Sequence, residues 1–236
     1  MKKMILASTS TIYGSDYLEY LFPVIKTLYQ NSTNILFIPY ARPNGISHDT
    51  YTKLVKKTFN KIDLSVSGIN ESNNPINSIK SCDGVFIGGG NSFVLLNEIQ
   101  KNNMLEALTN KINSGTPFLG TSAGSNICGI SIGTTNDMPI VHPSSLDGLN
   151  VIPFNINPHY IDKDKDNQHM GESRETRIKE FHQFNNQLVI GLREGGYLKI
   201  IKNDIILKGN FSAKIFKPNQ EPFEINPSFN LNKLLN

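Results

Sequence analysis

"GVFIGGGNSFVLLNEIQK", residues 84–101, carries a strand, a turn and a helix in immediate succession. Val85-Phe86-Ile87 is apolar without a break, as in a strand covered on both faces of a parallel sheet. Gly88-Gly89-Gly90 ends it, and Asn91-Ser92 leads into Ser92–Lys101, where Leu95, Leu96 and Ile99 fall at helical spacing. The same alternation runs outward in both directions. Short apolar runs predict strands at Met4–Ala7, Ile35–Pro39, Leu64–Ser67, Pro117–Leu119, Gly148–Ile152, Leu188–Gly191 and Tyr197–Ile201. Amphipathic stretches predict helices at Asp16–Gln30, Asp49–Asn60 and Met104–Asn113, the last with Leu105, Leu108 and Ile112 on one face. Strands alternating with helices predict a doubly wound α/β fold with a mostly parallel sheet. A C-terminal hairpin is expected from Asp204–Leu207 and Ala213–Phe216, and the Asn- and Pro-rich tail after Pro222 is expected to pack poorly. With no internal repeat and no long linker, residues 1–236 read as a single domain.

Composition narrows the function. The chain has 236 residues, 38% hydrophobic and 18% charged, which suits a globular α/β protein. The net charge of +3 comes without a basic block interleaved with aromatics, so a nucleic-acid partner is not expected. No apolar run approaches the roughly 20 residues of a membrane helix, so no membrane partner is expected either. Met4-Ile5-Leu6-Ala7 is too short for the apolar core of a signal peptide and reads as a buried strand, which makes the cytoplasm the expected location. The two cysteines, Cys82 and Cys128, give no disulfide framework, and no Cys/His spacing suggests a metal.

Ser122 sits in Gly120-Thr-Ser-Ala-Gly124, a G-x-S-x-G pattern that follows the apolar Phe118-Leu119. On a strand-to-helix turn such a serine faces outward beside the N–H of the next residue. The pattern is short and fits a packing turn as well. Gly88–Gly90 could bind phosphate, donate N–H groups to an oxyanion or simply turn the chain, and it lacks the Lys and spacing of a phosphate loop. A serine nucleophile needs a base. Of five histidines, His159 stands apart because Pro158 fixes its backbone. His48, His142, His169 and His182 lie in polar surroundings and are expected mostly at the surface. Glu194, at the end of an apolar strand, and Asp137, in a polar loop, are the acids that could orient a histidine.

Several of these segments together resemble peptidase E, the α-aspartyl dipeptidase family of serine peptidases. The matching stretches are "GGGNSF" (88–93), "GTSAGSNICG" (120–129), "TTNDMPIV" (134–141), "INPHY" (156–160), "GESRETRIKE" (171–180) and "GLREGG" (191–196). The resemblance implies a flavodoxin-like or class I glutamine-amidotransferase-like fold and a cofactor-free serine exopeptidase acting on Asp-X dipeptides. It implies Ser122 as nucleophile, His159 as base, Glu194 as the acid that holds the histidine and Gly90 and Ala123 as oxyanion donors. Asp137 matches an acid that is also required, and the sequence does not separate its part from that of Glu194; contact of Glu194 with His159 is expected. Arg174 matches the arginine that recognises the aspartyl side chain, with Ser173 a candidate N-cap. Arg177 is expected to pair with Glu175 or Glu180. Thr121, Arg193 and Ser173 depart from the pattern; the first two lie beside the active residues and bear on substrate preference. The other readings are a relative acting on isoaspartyl or cyanophycin-type substrates and a non-catalytic binding module on the same fold. A monomer or homodimer is expected.

Overall fold

The computed structural model describes residues 1–163 and 171–235; His169 lies outside the described residues. Strand β1 (Lys3–Ala7) is followed by α1 (Phe22–Leu28), β2 (Ile35–Ile38), α2 (His48–Asn60), β3 (Val66–Gly68), α3 (Pro75–Ser81) and β4 (Gly84–Ile87). Next come α4 (Ser92–Lys101), α5 (Leu105–Asn113), β5 (Phe118–Thr121) and the single turn α6 (Ala123–Asn126). The C-terminal part holds β6 (Asn155–Pro158), α7 (Arg174–Phe181), β7 (Val189–Leu192), β8 (Tyr197–Ile201), β9 (Asp204–Lys208), β10 (Ala213–Phe216) and β11 (Phe223–Ile225).

Seven strands form the larger sheet in the order β3-β2-β4-β5-β1-β8-β9. From β3 to β1 neighbours run parallel, while β8 and β9 add an antiparallel hairpin. The period of two along each strand divides the core into layers. Ile5, Phe37, Phe86 and Leu119 face α1 and α2 in one apolar cluster. Met4, Leu6, Ile38, Val85, Ile87 and Phe118 face α3, α4 and α5 in the other. The helix that follows β2 and the helices flanking β4 thus cover opposite faces. The winding changes face between these neighbouring strands, where α/β folds place their sites, at the carboxyl ends. The fold is of the flavodoxin-like class.

A second, four-stranded sheet, β11-β10-β7-β6, packs into the α4 side of the core through Ile156, Ile190, Leu192 and Ile215. It was not expected. "NINP" in β6 is too polar to read as a strand, yet Asn155 and Asn157 are buried because they bond backbone and side-chain groups of residues 131–136. The hairpin also differs from expectation. Asp204–Lys208 pairs with Tyr197–Ile201, whereas Ala213–Phe216 pairs with β7 and β11 in the other sheet. Gly209, at φ 100°, begins the crossing between sheets. Gly148–Ile152 forms no strand; Leu149, Val151 and Ile152 are buried in a loop whose N–H groups bond Ile127 and Cys128. Pro23 lies in the first turn of α1, so the helix predicted over Asp16–Gln30 starts later, after a 3-10 turn at Glu19–Leu21. The tail after Pro222 is packed. It supplies β11, buries Ile225 and Leu231, and bonds Leu207 through Ser228 and Phe229. No helix among the described residues is long and apolar enough to cross a membrane.

Candidate active site

Ser122 links β5 to α6 with φ 53° and ψ −114°. A non-glycine residue in such a region costs on the order of 1–3 kcal/mol and persists only where surrounding contacts impose it. Here its N–H donates to the Ala7 carbonyl at 3.0 Å, and its carbonyl accepts from the N–H groups of Ser125 and Asn126. Gly124 is required by close approach: a Cβ there would run into the Ile87 carbonyl oxygen. The serine therefore stands at the carboxyl edge of the large sheet, ahead of a buried turn of helix.

His159 and Glu194 come from the small sheet, just beyond β6 and β7, which run parallel. Ser122 Oγ lies 2.9 Å from His159 Nε2, and His159 Nδ1 lies 2.6 Å from Glu194 Oε1. His159 has φ 52°, a second residue in the left-handed region. Its segment is fixed by Asn136, whose amide donates to the Pro158 carbonyl at 2.6 Å, and by Ser8, whose hydroxyl accepts the His159 N–H at 2.8 Å. The chain serine–histidine–glutamate can deprotonate a hydroxyl and hold the resulting imidazolium.

Asp137 is elsewhere. Its Oδ2 accepts the Ser92 N–H at 2.7 Å and the Thr135 hydroxyl at 2.8 Å. It thus sits on the N-terminal end of α4, where a carboxylate is favoured by the helix dipole. Together with Asn91, whose amide donates to the Met138 carbonyl, it ties residues 135–138 to the glycine loop. Gly90 takes φ 148°, and a Cβ there would collide with the Ala41 carbonyl oxygen. A Cβ on Gly89 would lie 3.0 Å from that of Ser122, so the glycine loop rests against the serine. Among the described residues the N–H groups of Gly90 and Ala123 have no acceptor.

Arg174 opens α7 and is capped by Ser173, whose hydroxyl accepts the Thr176 N–H at 3.1 Å. The Arg174 Nη1 atom is buried and makes no hydrogen bond among the described residues. Burial, and then the neighbouring Arg177 cation, hold this guanidinium below its ordinary pKa, while Glu194 and Tyr160 pull the other way. Arg177 pairs at 3.7 Å with Glu172, not with Glu175 or Glu180 as expected; both partners are more than half exposed. Cys128 is buried in the core, and burial pushes its thiol far up.

Two features of the site escaped the sequence. Ser8 carries one signal in the sequence, a hydroxyl directly after the first strand, where a parallel sheet places its carboxyl edge. Arg193, noted only as a departure, donates to Asp162 and Glu224 and braces the segment after His159.

The model of peptidase family S51 matches residues 4–208. Peptidase E of Streptomyces coelicolor is 38% identical over 232 residues, covering 98% of this chain and 94% of its own. A Drosophila melanogaster protein named "Probable alpha-aspartyl dipeptidase" is 35% identical, covering 99% of this chain and 98% of its own. The crystal structure of a peptidase from an acI-B1 actinobacterium superposes with a TM-score of 0.74 over 98% of this chain and 96% of its own. At 15% identity that match speaks for the fold.

Proposed function

Because the chain belongs to peptidase family S51, we propose that it is a serine exopeptidase hydrolysing dipeptides with N-terminal aspartate through Ser122, His159 and Glu194. The Drosophila relative's name supports the aspartyl preference. The observation that carries it in this molecule is Arg174, whose buried Nη1 has no hydrogen-bond partner among the described residues and whose guanidinium feels the Glu194 carboxylate. An unpaired buried donor on a cation is costly, and a substrate carboxylate would satisfy it.

In this reading Ser122 gives its proton to His159 Nε2 and attacks the peptide carbonyl. The Nδ1–H of His159 donates to Glu194, which keeps the tautomer and stabilises the imidazolium. The N–H groups of Gly90 and Ala123 take the charge that develops on the carbonyl oxygen, each worth about 3 kcal/mol. His159 then protonates the leaving amine. Water attacks the acyl-enzyme by the same route and releases aspartate. Asp137 acts indirectly, by holding the glycine loop and α4 in place. No step calls for a cofactor.

The test is turnover of Asp-Leu, Glu-Leu, Asn-Leu, Ala-Leu and β-Asp-Leu by wild type, Ser122→Ala and Arg174→Ala. Ser122→Ala should lose several orders of magnitude on every substrate. Arg174→Ala should lower kcat/KM for Asp-Leu at least about a hundredfold, the equivalent of about 2.7 kcal/mol, and leave any Ala-Leu turnover nearly unchanged. Arg174→Lys should rescue poorly, since an ammonium lacks the planar fork. Equal losses on Asp-Leu and Ala-Leu would move Arg174 from recognition to scaffolding. Wild-type preference for β-Asp-Leu would replace the α-aspartyl reading with the isoaspartyl one.

A further inference from the structure

The nucleophile and its base stand on different sheets, so something must set the distance between them. Ser122 leaves β5 of the large sheet, whereas His159 and Glu194 leave β6 and β7 of the small one. The 2.9 Å separation of Ser122 Oγ and His159 Nε2 therefore depends on how the two sheets are joined at this edge. Both residues also hold backbone angles with positive φ, which they would relax from if released.

The contacts at that edge converge on two consecutive residues at the end of β1. The Ala7 carbonyl accepts the Ser122 N–H at 3.0 Å and the Ser125 hydroxyl at 2.7 Å. The next residue, Ser8, is fully buried. Its hydroxyl accepts the His159 N–H at 2.8 Å and donates to the Leu192 carbonyl at 2.7 Å. Leu192 is the last residue of β7, two before Glu194, and its carbonyl also accepts the Tyr160 N–H at 3.1 Å. The Ser8 N–H in turn donates to the Gly196 carbonyl at 3.0 Å, beyond Glu194. Two consecutive residues thus touch the nucleophile on one side and bracket the base and the acid on the other.

We propose that Ser8 is a positioning residue: its hydroxyl clasps the small sheet to the large one and sets His159 at hydrogen-bonding distance from Ser122. A hydroxyl suits this post because it accepts one bond and donates another at the same atom. Alanine would leave the Leu192 carbonyl with Tyr160 but would leave the His159 N–H with no acceptor. The histidine backbone would then be free to relax from φ 52° and carry the ring away from the serine. Displacements of about 1 Å at a reacting pair can cost on the order of a hundredfold in rate.

The inference rests on the Ser122–His159–Glu194 reading, and the experiment keeps the two apart. Four variants are compared with wild type: Ser8→Ala, the shape-matched pair Ser8→Thr and Ser8→Val, and Tyr29→Phe. Tyr29 supplies a buried hydroxyl bond to the Val85 carbonyl, 2.6 Å long, on the far side of the sheet. Each is measured for kcat and KM on Asp-Leu, for melting temperature, and for the rate at which diisopropyl fluorophosphate inactivates it. That reagent reads the serine–histidine pair without the peptide subsites.

Ser8→Ala should lose about 10- to 100-fold in kcat with KM within threefold, and lose inactivation rate in parallel. Tyr29→Phe should lower melting temperature and keep kcat. Should Ser8→Ala not fold, Ser8→Thr should exceed Ser8→Val at least tenfold in both rates, because the two differ only in the hydroxyl. Near-wild-type kcat and inactivation rates in Ser8→Ala, or equal rates in the Thr and Val variants, would overturn the clasp. Active Ser122→Ala protein would instead overturn the triad reading on which it rests.

Discussion

At the scale of single residues, the two acids near the site do different physical work. Glu194 touches the imidazole at 2.6 Å, while Asp137 faces a helix end through the Ser92 N–H. Glu194→Gln keeps the shape but removes the charge that an imidazolium needs, and its amide can present the wrong hydrogen-bonding group to Nδ1. We expect kcat to fall by about a hundredfold or more, with KM little changed, because the interaction counts most once charge develops. Asp137→Asn should act mainly on stability, losing the charge–dipole part of its bond to α4, about 0.3–1 kcal/mol. Steady-state kinetics and thermal melts of the two variants separate the cases; a kcat loss in Asp137→Asn equal to that in Glu194→Gln would reverse the division of roles. Part of this was legible in the sequence. Glu194 follows a strand end directly, where a side chain enters the crevice, whereas the G-x-S-x-G pattern around Ser122 fits a packing turn as well. The partner of Asp137 lies 45 positions earlier, and nothing local to "TTNDMP" reveals it.

At the scale of elements, sequence reading succeeded where periodicity and burial agree, and failed where contacts distant in sequence decide. Ser92–Lys101 and Tyr197–Ile201 match α4 and β8 because their apolar spacing has one reading. Gly148–Ile152 is as apolar as a strand but has no neighbour to pair with, so its buried side chains serve a loop. The polar β6 is a strand only because β7 and residues 131–136 satisfy it. The tail after Pro222 fails for the same reason. It lacks a periodic apolar face, yet β11 extends the small sheet and Leu207 of β9 exchanges backbone bonds with Ser228 and Phe229. That contact shields an edge strand of the large sheet, a surface that otherwise invites association. Ending the chain after Pro222 should expose the surfaces that bury Ile225 and Leu231. At about 1.5–3 kcal/mol for each side chain the loss is about 3–6 kcal/mol. Urea denaturation and light scattering should report lower stability and self-association. A truncated protein as stable and monodisperse as the full chain would mean that the tail only lies on the surface.

At the scale of the whole molecule, the two sheets share one core, and Ser122 beyond one meets His159 beyond the other at their common edge, with Glu194 behind it. Around the small sheet itself, Arg193 anchors a cluster of charges. Its side chain is only 19% exposed, and its guanidinium lies between Asp162 at 2.5 Å and Glu224 at 2.8 Å, while Lys214 reaches Asp162 at 3.3 Å and Glu175 at 2.8 Å. The cluster joins the segment after His159 to β10, β11 and α7, with Arg193 immediately before Glu194. Arg193 holds the Glu224 carboxyl below the usual carboxylate range, and Lys214 does the same for Glu175. For Asp162 burial pushes upward, but Arg193 and Lys214 outweigh it and the net shift is downward. Carboxyls lowered in the folded state bind protons less readily there than in the unfolded chain. Their stabilisation is therefore complete above the unfolded values, about 4, and disappears as pH falls through the lowered folded ones. The carboxylates are nearly half exposed, so solvent and salt screen part of the effect. Wild-type urea midpoints should hold steady from pH 7 to about 5 and fall below about 4. Arg193→Met should begin lower at pH 7 and lose less on acidification, since Asp162 and Glu224 would titrate closer to their unfolded values. Raising the salt concentration should narrow the gap between the two proteins. Parallel midpoint curves for wild type and Arg193→Met across pH 7 to 3 would show that the cluster adds nothing to stability, leaving the apolar core to hold the small sheet and α7 together.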